Sequence, residues 1–265
     1  MSHPSYPLLH HTVEGQGPFI LLIHGLFGSA DNLGVLARNL RLDHTVINVD
    51  LRNHGRSFHC DSMNYEAMAK DLIQLLNHLN VDSLAVVGHS MGGKAAMKLA
   101  SMIPDNIHHL AVLDMAPVAY QQRRHDNVLA GLQAVVDNPP TNRQQALAIM
   151  EEHIEIEGVR QFLAKSLFHP KPDQNSDNHL QWRFNLKALS DQYDHIQAWS
   201  DIAPFNNPTL FLKGADSDYI GIEHQAQIQA QFPHSKAHII NNTGHWLHAE
   251  KPTEVLRSLR RFITK

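Results

Sequence analysis

A short apolar run that ends at a glycine-flanked serine limits the fold of this chain more than any other feature. Residues 84–93 read LAVVGHSMGG, so a predicted strand at 84–87 stops at the GHSMG turn and a predicted helix at 91–102 follows at once. In so tight a turn the central residue is strained, and side chains on its neighbours would clash with the strand and the helix. Glycine at both flanks removes the clash. We therefore expect Ser90 at the carboxyl edge of a sheet, directly before a helix.

Short apolar runs alternate with amphipathic segments in the first half of the chain, which is typical of βαβ units around a parallel sheet. Further strands are predicted at residues 19–23, 45–49, 110–113, 209–212 and 237–240, and helices at residues 65–79 and 253–263. The chain has 265 residues, of which 43% are hydrophobic, and this is enough for one large domain with a sizeable core. The predicted fold class is α/β, with a mostly parallel central sheet flanked by helices.

The alternation stops between residues 117 and 204, where the sequence has no clear buried strand. Helices are predicted there at residues 126–136, 141–153 and 158–166, followed by a polar loop at 169–178. The spacing of Thr141 and Gln144 matches a capping box at the start of the second of these helices. Because the closing strands need the early sheet to pair with, we expect one core domain made of residues 1–116 and 205–265. Residues 117–204 then form an inserted helical cap, or lid.

Charge and cysteine content exclude several classes of protein. The net charge of −4 and the pI near 6.6 give no basic surface for nucleic acid. The longest strongly apolar run, residues 19–23, is too short to span a bilayer, and the opening MSHPSYPLLHH lacks the features of a secretory signal. Cys60 is the only cysteine, which excludes an internal disulfide and indicates a reducing compartment. We expect a cytoplasmic protein with no nucleic-acid or membrane partner.

The chain contains 21 histidines, and this number invites a search for a metal site. The histidines are scattered, no HExxH sequence occurs, and a single cysteine cannot build a zinc knuckle. We therefore expect no metal site.

Ser90, in the strand-turn-helix context of a nucleophile elbow, is the candidate nucleophile. A serine hydroxyl is a weak nucleophile at neutral pH, so it needs a general base, and the base needs an acid to orient it. His245, in the segment NNTGHWLHAEKP, directly follows the last predicted strand and is preceded by a glycine. His248 is the competing histidine, three residues further on, where the next helix begins. The Gly-His step favours His245 as the base, because it keeps His245 in the loop above the strand ends.

The glycine-rich loop HGLFG, residues 24–28, follows the first predicted strand. Glycines let its backbone approach a reacting carbon closely, and helix amino ends supply free N–H groups. The backbone N–H groups of Leu26 and Met91 are therefore the candidate oxyanion hole, a feature that contributes a few kcal/mol per donor in other enzymes. Phe27, in the same loop, is a candidate substrate contact, although it fits a structural role equally well.

Two positions compete for the acid. Asp114 directly follows the predicted strand at residues 110–113, which comes after the helix at 91–102. This strand is expected to lie next to the strand that leads to Ser90. The other candidate position follows the penultimate strand, three residues after Gly214, but Ser217 stands there and Asp218 comes after it. We favour Asp114 and keep Asp218 as the alternative.

Several segments together resemble the α/β-hydrolase superfamily over nearly the whole chain, namely HGLFGS, DLRNHGRS, GHSMGGK, LDMAP and TGHWLHAEKP. The chain is also similar to the bacterial esterases of the YbfF type, through DNLGVLAR after the first segment, RRHD after DMAPV, and WRFN in the predicted cap. The resemblance implies the α/β-hydrolase fold. In that branch the acid follows the strand after the nucleophile, which supports Asp114, and Ser217 in place of the usual aspartate agrees with it.

The resemblance implies carboxylester hydrolysis, with small acyl esters and acyl-CoA thioesters as substrates. The reaction would run through an acyl-enzyme at Ser90 and needs no cofactor. Arg123 and Arg124 follow Asp114 by only nine and ten residues, so we expect them near the mouth of the site. There a guanidinium could hold a carboxylate or phosphate of the substrate, and a structural role on the first cap helix fits equally well.

Other functions share parts of this pattern. Haloalkane dehalogenases and epoxide hydrolases need a carboxylate nucleophile, so Ser90 argues against both. Carbon–carbon hydrolases and cofactor-free perhydrolases keep the serine triad and are the alternative enzymes. A ligand-binding protein without activity is a further alternative, although such proteins have usually lost a member of the triad, and all three candidates are present here.

Overall fold

Seven strands form the central sheet of the computed structural model, which describes residues 7–170 and 178–264. The strands in the described residues are β1 His11–Glu14, β2 Phe19–Ile23, β3 Thr45–Val49, β4 Leu84–His89, β5 Ile107–Leu113, β6 Leu167–Phe168, β7 Gln181–Trp182, β8 Thr209–Gly214 and β9 Ser235–Ile240. Their order in the sheet is β1-β3-β2-β4-β5-β8-β9, and only β1 pairs antiparallel. The predicted α/β class with a mostly parallel sheet is confirmed.

The helices lie between and after these strands. They are α1 Gly34–Leu40, α2 Tyr65–His78, α3 Met91–Met102, α4 Asp126–Asp137, α5 Arg143–Glu151, α6 Glu157–Ala164, α7 Leu186–Asp191, α8 Tyr193–Gln197, α9 Gln225–Gln231, α10 Leu247–Glu250 and α11 Pro252–Ile263. Short 3-10 helices occur at Ala30–Leu33, Pro104–Asn106 and Ile222–His224. In the part of the chain that the structure describes, no helix has both the length and the apolarity needed to cross a membrane.

Alternate residues of each central strand face opposite sides of the sheet, so each side has its own core. In β2, Leu21 and Ile23 belong to the cluster that includes the apolar residues of α2 and α3. Ile20 and Leu22 belong to the cluster on the other side, which includes those of α1 and α11. These side chains are fully buried, and two-sided burial explains why β2 reads as a continuous apolar run.

The register of the parallel strands brings several chain turns to one edge. Ile23 pairs with Gly88 and His89 pairs with Leu113, so β2, β4 and β5 end side by side. Leu113 in turn pairs with Leu212 of β8. The loops that follow these strands therefore meet at the carboxyl edge of the sheet.

The residues between β5 and β8 form helices α4 to α8 and the antiparallel pair β6–β7. The two short strands were not expected in this region. The capping-box prediction at Thr141 is wrong by one residue, since Asn142 caps α5 and its side chain accepts a hydrogen bond from the Gln145 N–H at 3.0 Å. Most of the predicted polar loop at 169–178, namely residues 171–177, lies outside the described residues.

Candidate active site

The turn between β4 and α3 holds Ser90 with φ 54° and ψ −121°, a conformation that costs a non-glycine residue about 1–3 kcal/mol. Close backbone contacts explain the flanking glycines. A Cβ atom on Gly88 would lie 2.2 Å from the carbonyl oxygen of Gly92, and one on Gly92 would lie 2.3 Å from that of His24. The turn is thus possible only with glycine on both sides of Ser90.

Three side chains from distant parts of the chain meet in one line of hydrogen bonds. The Nε2 atom of His245 lies 2.8 Å from Ser90 Oγ, and its Nδ1 atom lies 2.7 Å from Asp114 Oδ2. A carboxylate can only accept, so Nδ1 carries the proton and Nε2 accepts from the Ser90 hydroxyl. Asp114 is fully buried, whereas the His245 side chain is 16% exposed. This arrangement can move the serine proton onto the imidazole.

Asp114 has further donors besides His245. Its Oδ1 accepts from the Gly214 N–H at 3.0 Å, and its Oδ2 accepts from the Ser217 hydroxyl. Asp218 lies elsewhere, because its exposed carboxylate pairs with Arg124 at 2.6 Å. The Arg124 hydrogen bond lowers the pKa of Asp218. Of the two acid candidates, the structure therefore brings Asp114 to the imidazole and not Asp218.

His248, the competing base, lies in α10 and is 4% exposed. Its ring packs on that of His89 with 4.2 Å between centroids. Burial lowers the pKa of His248 to about 3 and that of His89 well below its usual value. Both rings are neutral at physiological pH and add no positive charge beside His245.

The two expected oxyanion donors belong to residues that line cavities reaching Ser90. Met91 is the first residue of α3, so its N–H has no carbonyl partner inside the helix. Leu26 lies in the loop after β2 and lines both cavities that reach Ser90. The next N–H, that of Phe27, donates to His54 Nε2 at 3.2 Å, and burial lowers the pKa of His54 to about 3. A neutral His54 therefore holds the backbone of this loop at Phe27, the residue after Leu26.

The first cavity, which we name the α4–α6 cavity, extends from Ser90 between the core and helices α4 and α6. It has a volume of about 540 Å³ including its open mouth. Its apolar wall consists of Phe27, Leu33, Val128, Val159, Phe162, Leu163 and Trp246. This space suits an uncharged, apolar group.

The second cavity, the Lys94 cavity, also reaches Ser90 and has a volume of about 380 Å³ including its open mouth. Lys94 is 1% exposed and donates to the carbonyl oxygens of Gln197 at 2.9 Å and Ala198 at 3.2 Å. Burial lowers the pKa of Lys94 to about 7. Arg124 also lines this cavity, and none of its described lining residues is Asp or Glu. The cavity is thus the more basic of the two.

The candidate substrate contacts divide between site and surface. Phe27 lines the α4–α6 cavity and Arg124 the Lys94 cavity. Arg123 lines neither cavity and pairs instead with Asp126 at 2.8 Å and with the exposed Asp194. Both arginines lie in the loop before α4, and of the two only Arg124 lines one of these cavities.

Several residues of the site were not singled out from the sequence. Tyr219 stacks on His245, Lys94 lines the second cavity, and Ser217 donates to Asp114. Lys94 carried a signal, since it lies one helical turn after Ser90, where a charged residue is unusual in a buried helix. Among the described residues, no group of three or more His, Cys, Asp or Glu side chains could hold a metal ion.

Known proteins share this architecture. The family described as alpha/beta hydrolase fold matches residues 18–252. The chain is 48% identical to the esterase YbfF of Escherichia coli, with 92% of each chain covered. It is 34% identical to the sn-1-specific diacylglycerol lipase ABHD11 of Mus musculus, covering 97% of this chain and 85% of that protein.

A solved structure of a marine microorganism esterase superposes with a TM-score of 0.91 at 33% identity, covering 97% of this chain and all of that one. Both the family match and the identity to YbfF extend over most of the sequence. The chain therefore belongs to the α/β-hydrolase family, in the branch of YbfF-type esterases.

Proposed function

We propose that this protein is a serine carboxylesterase that cleaves acyl esters, including acyl-CoA thioesters, through an acyl-enzyme on Ser90. The observation that carries the proposal is the hydrogen-bonded line from Ser90 through His245 to Asp114. The ester-cleaving names of its relatives support the same reaction class.

Acylation begins when the Ser90 oxygen attacks the acyl carbon and His245 Nε2 takes the hydroxyl proton. The carbonyl oxygen becomes an oxyanion, which the N–H groups of Leu26 and Met91 stabilise. Asp114 accepts from Nδ1 throughout, so it keeps Nε2 aimed at the serine and stabilises the imidazolium.

Collapse of this intermediate breaks the bond to the leaving alcohol or thiol, which receives the proton from His245. A water molecule then gives a proton to His245 and attacks the acyl carbon of the ester on Ser90. The carboxylic acid leaves and the serine hydroxyl is restored. The neutral rings of His89 and His248 suit this cycle, because a permanent cation there would oppose the imidazolium.

The two cavities suggest how a substrate lies across Ser90. The α4–α6 cavity, with its apolar wall, takes the acyl chain. The Lys94 cavity takes the polar part, and Arg124 at its rim binds a carboxylate or phosphate there. In this scheme residues 117–204 act as the cap, since helices α4 and α6 supply the apolar wall.

A hydrolysis panel across acyl lengths and leaving groups, including CoA thioesters, tests the proposal. The wild type should cleave esters or thioesters, and Ser90→Ala should lose the activity. Ser101→Ala is the matched control and should retain activity, because Ser101 lies in α3, the helix that follows Ser90, and its hydroxyl donates to the Lys98 carbonyl. Turnover of a ring-cleaved diketone, or of peroxide with halide, in place of esters would favour the two alternative chemistries.

A further inference from the structure

The phenol ring of Tyr219 lies flat on the imidazole of His245, with 3.8 Å between ring centroids and 17° between the ring planes. We propose that Tyr219 is a positioning residue, whose ring fixes the plane in which His245 faces Ser90. The inference rests on the proposed function, because it assumes that His245 is the base. It gives Tyr219 a role through its ring face and not through its hydroxyl.

The hydrogen bonds of His245 leave one motion of its ring free. Nδ1 is held by Asp114 and Nε2 by Ser90, so the ring can still rock about the line that joins these two nitrogens. A second flat ring at van der Waals distance opposes this rocking. Its contribution grows after acylation, when the Ser90 hydroxyl no longer bonds to Nε2 and only the Asp114 bond remains.

Tyr219 is itself clamped. The guanidinium carbon of Arg124 lies 4.7 Å from the centre of the Tyr219 ring. Because the imidazole already covers one face of that ring, Arg124 covers the other. Asp218 holds the Nη1 atom of Arg124 at 2.6 Å, which fixes the position of the guanidinium. The phenol is therefore held between a guanidinium and an imidazole.

The backbone of Tyr219 is also fixed to the site. Its carbonyl oxygen accepts from the Tyr120 hydroxyl at 2.6 Å, and its N–H donates to Ser217 Oγ at 3.3 Å. The Ser217 hydroxyl in turn donates to Asp114, the carboxylate that orients His245. One short loop thus supports both the acid and the base.

The test compares Tyr219→Leu, which removes the flat ring, with Tyr219→Phe, which keeps it. A stacked aromatic pair contributes only a modest interaction free energy, so Tyr219→Leu should lower kcat by about tenfold and keep KM within about twofold of the wild-type value. Tyr219→Phe should stay within about twofold of the wild type in both constants. A raised KM in Tyr219→Phe with normal kcat would instead mean that the hydroxyl binds substrate, and this would overturn the positioning role.

A fluorophosphonate probe supplies a readout that does not depend on substrate binding, since its rate of Ser90 labelling reports how well His245 activates the serine. Tyr219→Leu should label about tenfold more slowly. Phe262→Leu is the matched control. Phe262, in α11, also packs on a histidine, but that histidine is His109 and not His245, with 5.0 Å between the ring centroids. This variant should label at the wild-type rate.

Thermal melting establishes that each variant is folded, and Tyr219→Met replaces Tyr219→Leu if the latter melts below the assay temperature. Wild-type labelling at Ser90 together with equally fast labelling of the ring-deleted variant would overturn this inference and leave the proposed function intact. A wild type that is not labelled at Ser90 would overturn both.

Discussion

The hydroxyl of Ser217 donates a hydrogen bond to Asp114 Oδ2, the same oxygen that lies 2.7 Å from His245 Nδ1. With the Gly214 N–H on Oδ1, the buried carboxylate has three donors. A buried charge is costly unless such donors satisfy it. Ser217, three residues after Gly214, thus serves as a donor to the buried carboxylate of Asp114.

Replacing Ser217 should affect both stability and rate. Hydrogen bonds to charged groups contribute about 1.5–3 kcal/mol, so Ser217→Ala should lower the free energy of unfolding by about 2 kcal/mol. It should also lower kcat/KM several-fold, because Asp114 is less firmly held. Ser217→Thr, which keeps a hydroxyl, is the control. Urea unfolding and steady-state kinetics measure the two effects, and an unchanged Ser217→Ala would show that the bond is dispensable.

The two acid candidates separate in a pair of variants. Asp114→Asn should lower kcat by about 10³- to 10⁴-fold, because an amide in place of the carboxylate favours the wrong tautomer of His245. Asp218→Asn removes an exposed ion pair worth at most about 1 kcal/mol and should change kcat less than fivefold. Kinetics on one ester decide the matter. A larger loss in Asp218→Asn would refute Asp114 as the acid.

Acid should destabilise the fold through its buried histidines. Burial lowers the pKa of His54 to about 3, of His248 to about 3 and of His125 to about 4. Below pH 6.5 the unfolded chain binds protons at these histidines that the folded chain does not bind. The free energy of unfolding therefore keeps its full value above pH 6.5 and decreases as the pH falls below it. Each histidine contributes about 1.4 kcal/mol per pH unit to this loss.

Urea unfolding between pH 4 and pH 7 measures that slope. His54→Gln should lower the slope by about 1.4 kcal/mol per pH unit, the contribution of one proton. His78→Gln, at an exposed position on α2, should leave the slope unchanged. Equal slopes in His54→Gln and the wild type would mean that His54 is not held neutral.

Substitution by alanine should have opposite effects on stability at Gly92 and at Gly158. In Gly92→Ala the new Cβ would lie 2.3 Å and 2.4 Å from the backbone oxygens of His24 and Ile23, which cannot move aside cheaply. We expect a loss of about 3 kcal/mol or more in the free energy of unfolding, together with loss of activity. Gly158→Ala, in α6 with open space around it, should gain about 0.5 kcal/mol. Chemical denaturation of both variants is the check, and a fully stable Gly92→Ala would contradict the geometry of the turn.

The bounds of the strands that are buried on both faces could be predicted, whereas β9, which is mostly exposed, was predicted only in part, at residues 237–240. β2 and β3 have the predicted bounds, since two-sided burial leaves an unbroken apolar or β-branched run. β1, whose residues are mostly exposed, has no such run and was missed. The same holds for α9, whose sequence QAQIQAQ is largely polar and exposed.

The residues of the site that directly follow strands could be predicted from the sequence. The loops after parallel strands share one edge, so the meeting of Ser90, Asp114 and His245 follows from topology, while their catalytic roles stay a prediction. The stacking of Tyr219 depends on how a loop folds back over that edge, and no local pattern encodes this. The direction of the Arg123 side chain is unpredictable for a related reason, since Arg123 lies in the loop before α4 and its ion pairs with Asp126 and Asp194 set its direction.

The most direct test of the whole account is to treat the protein with a fluorophosphonate and locate the adduct by mass spectrometry. We predict a single adduct on Ser90, labelling slowed by orders of magnitude in His245→Ala, and ester hydrolysis abolished in step with labelling. An adduct on another residue, or ester hydrolysis that continues in Ser90→Ala, would contradict the assignment of Ser90 as the nucleophile.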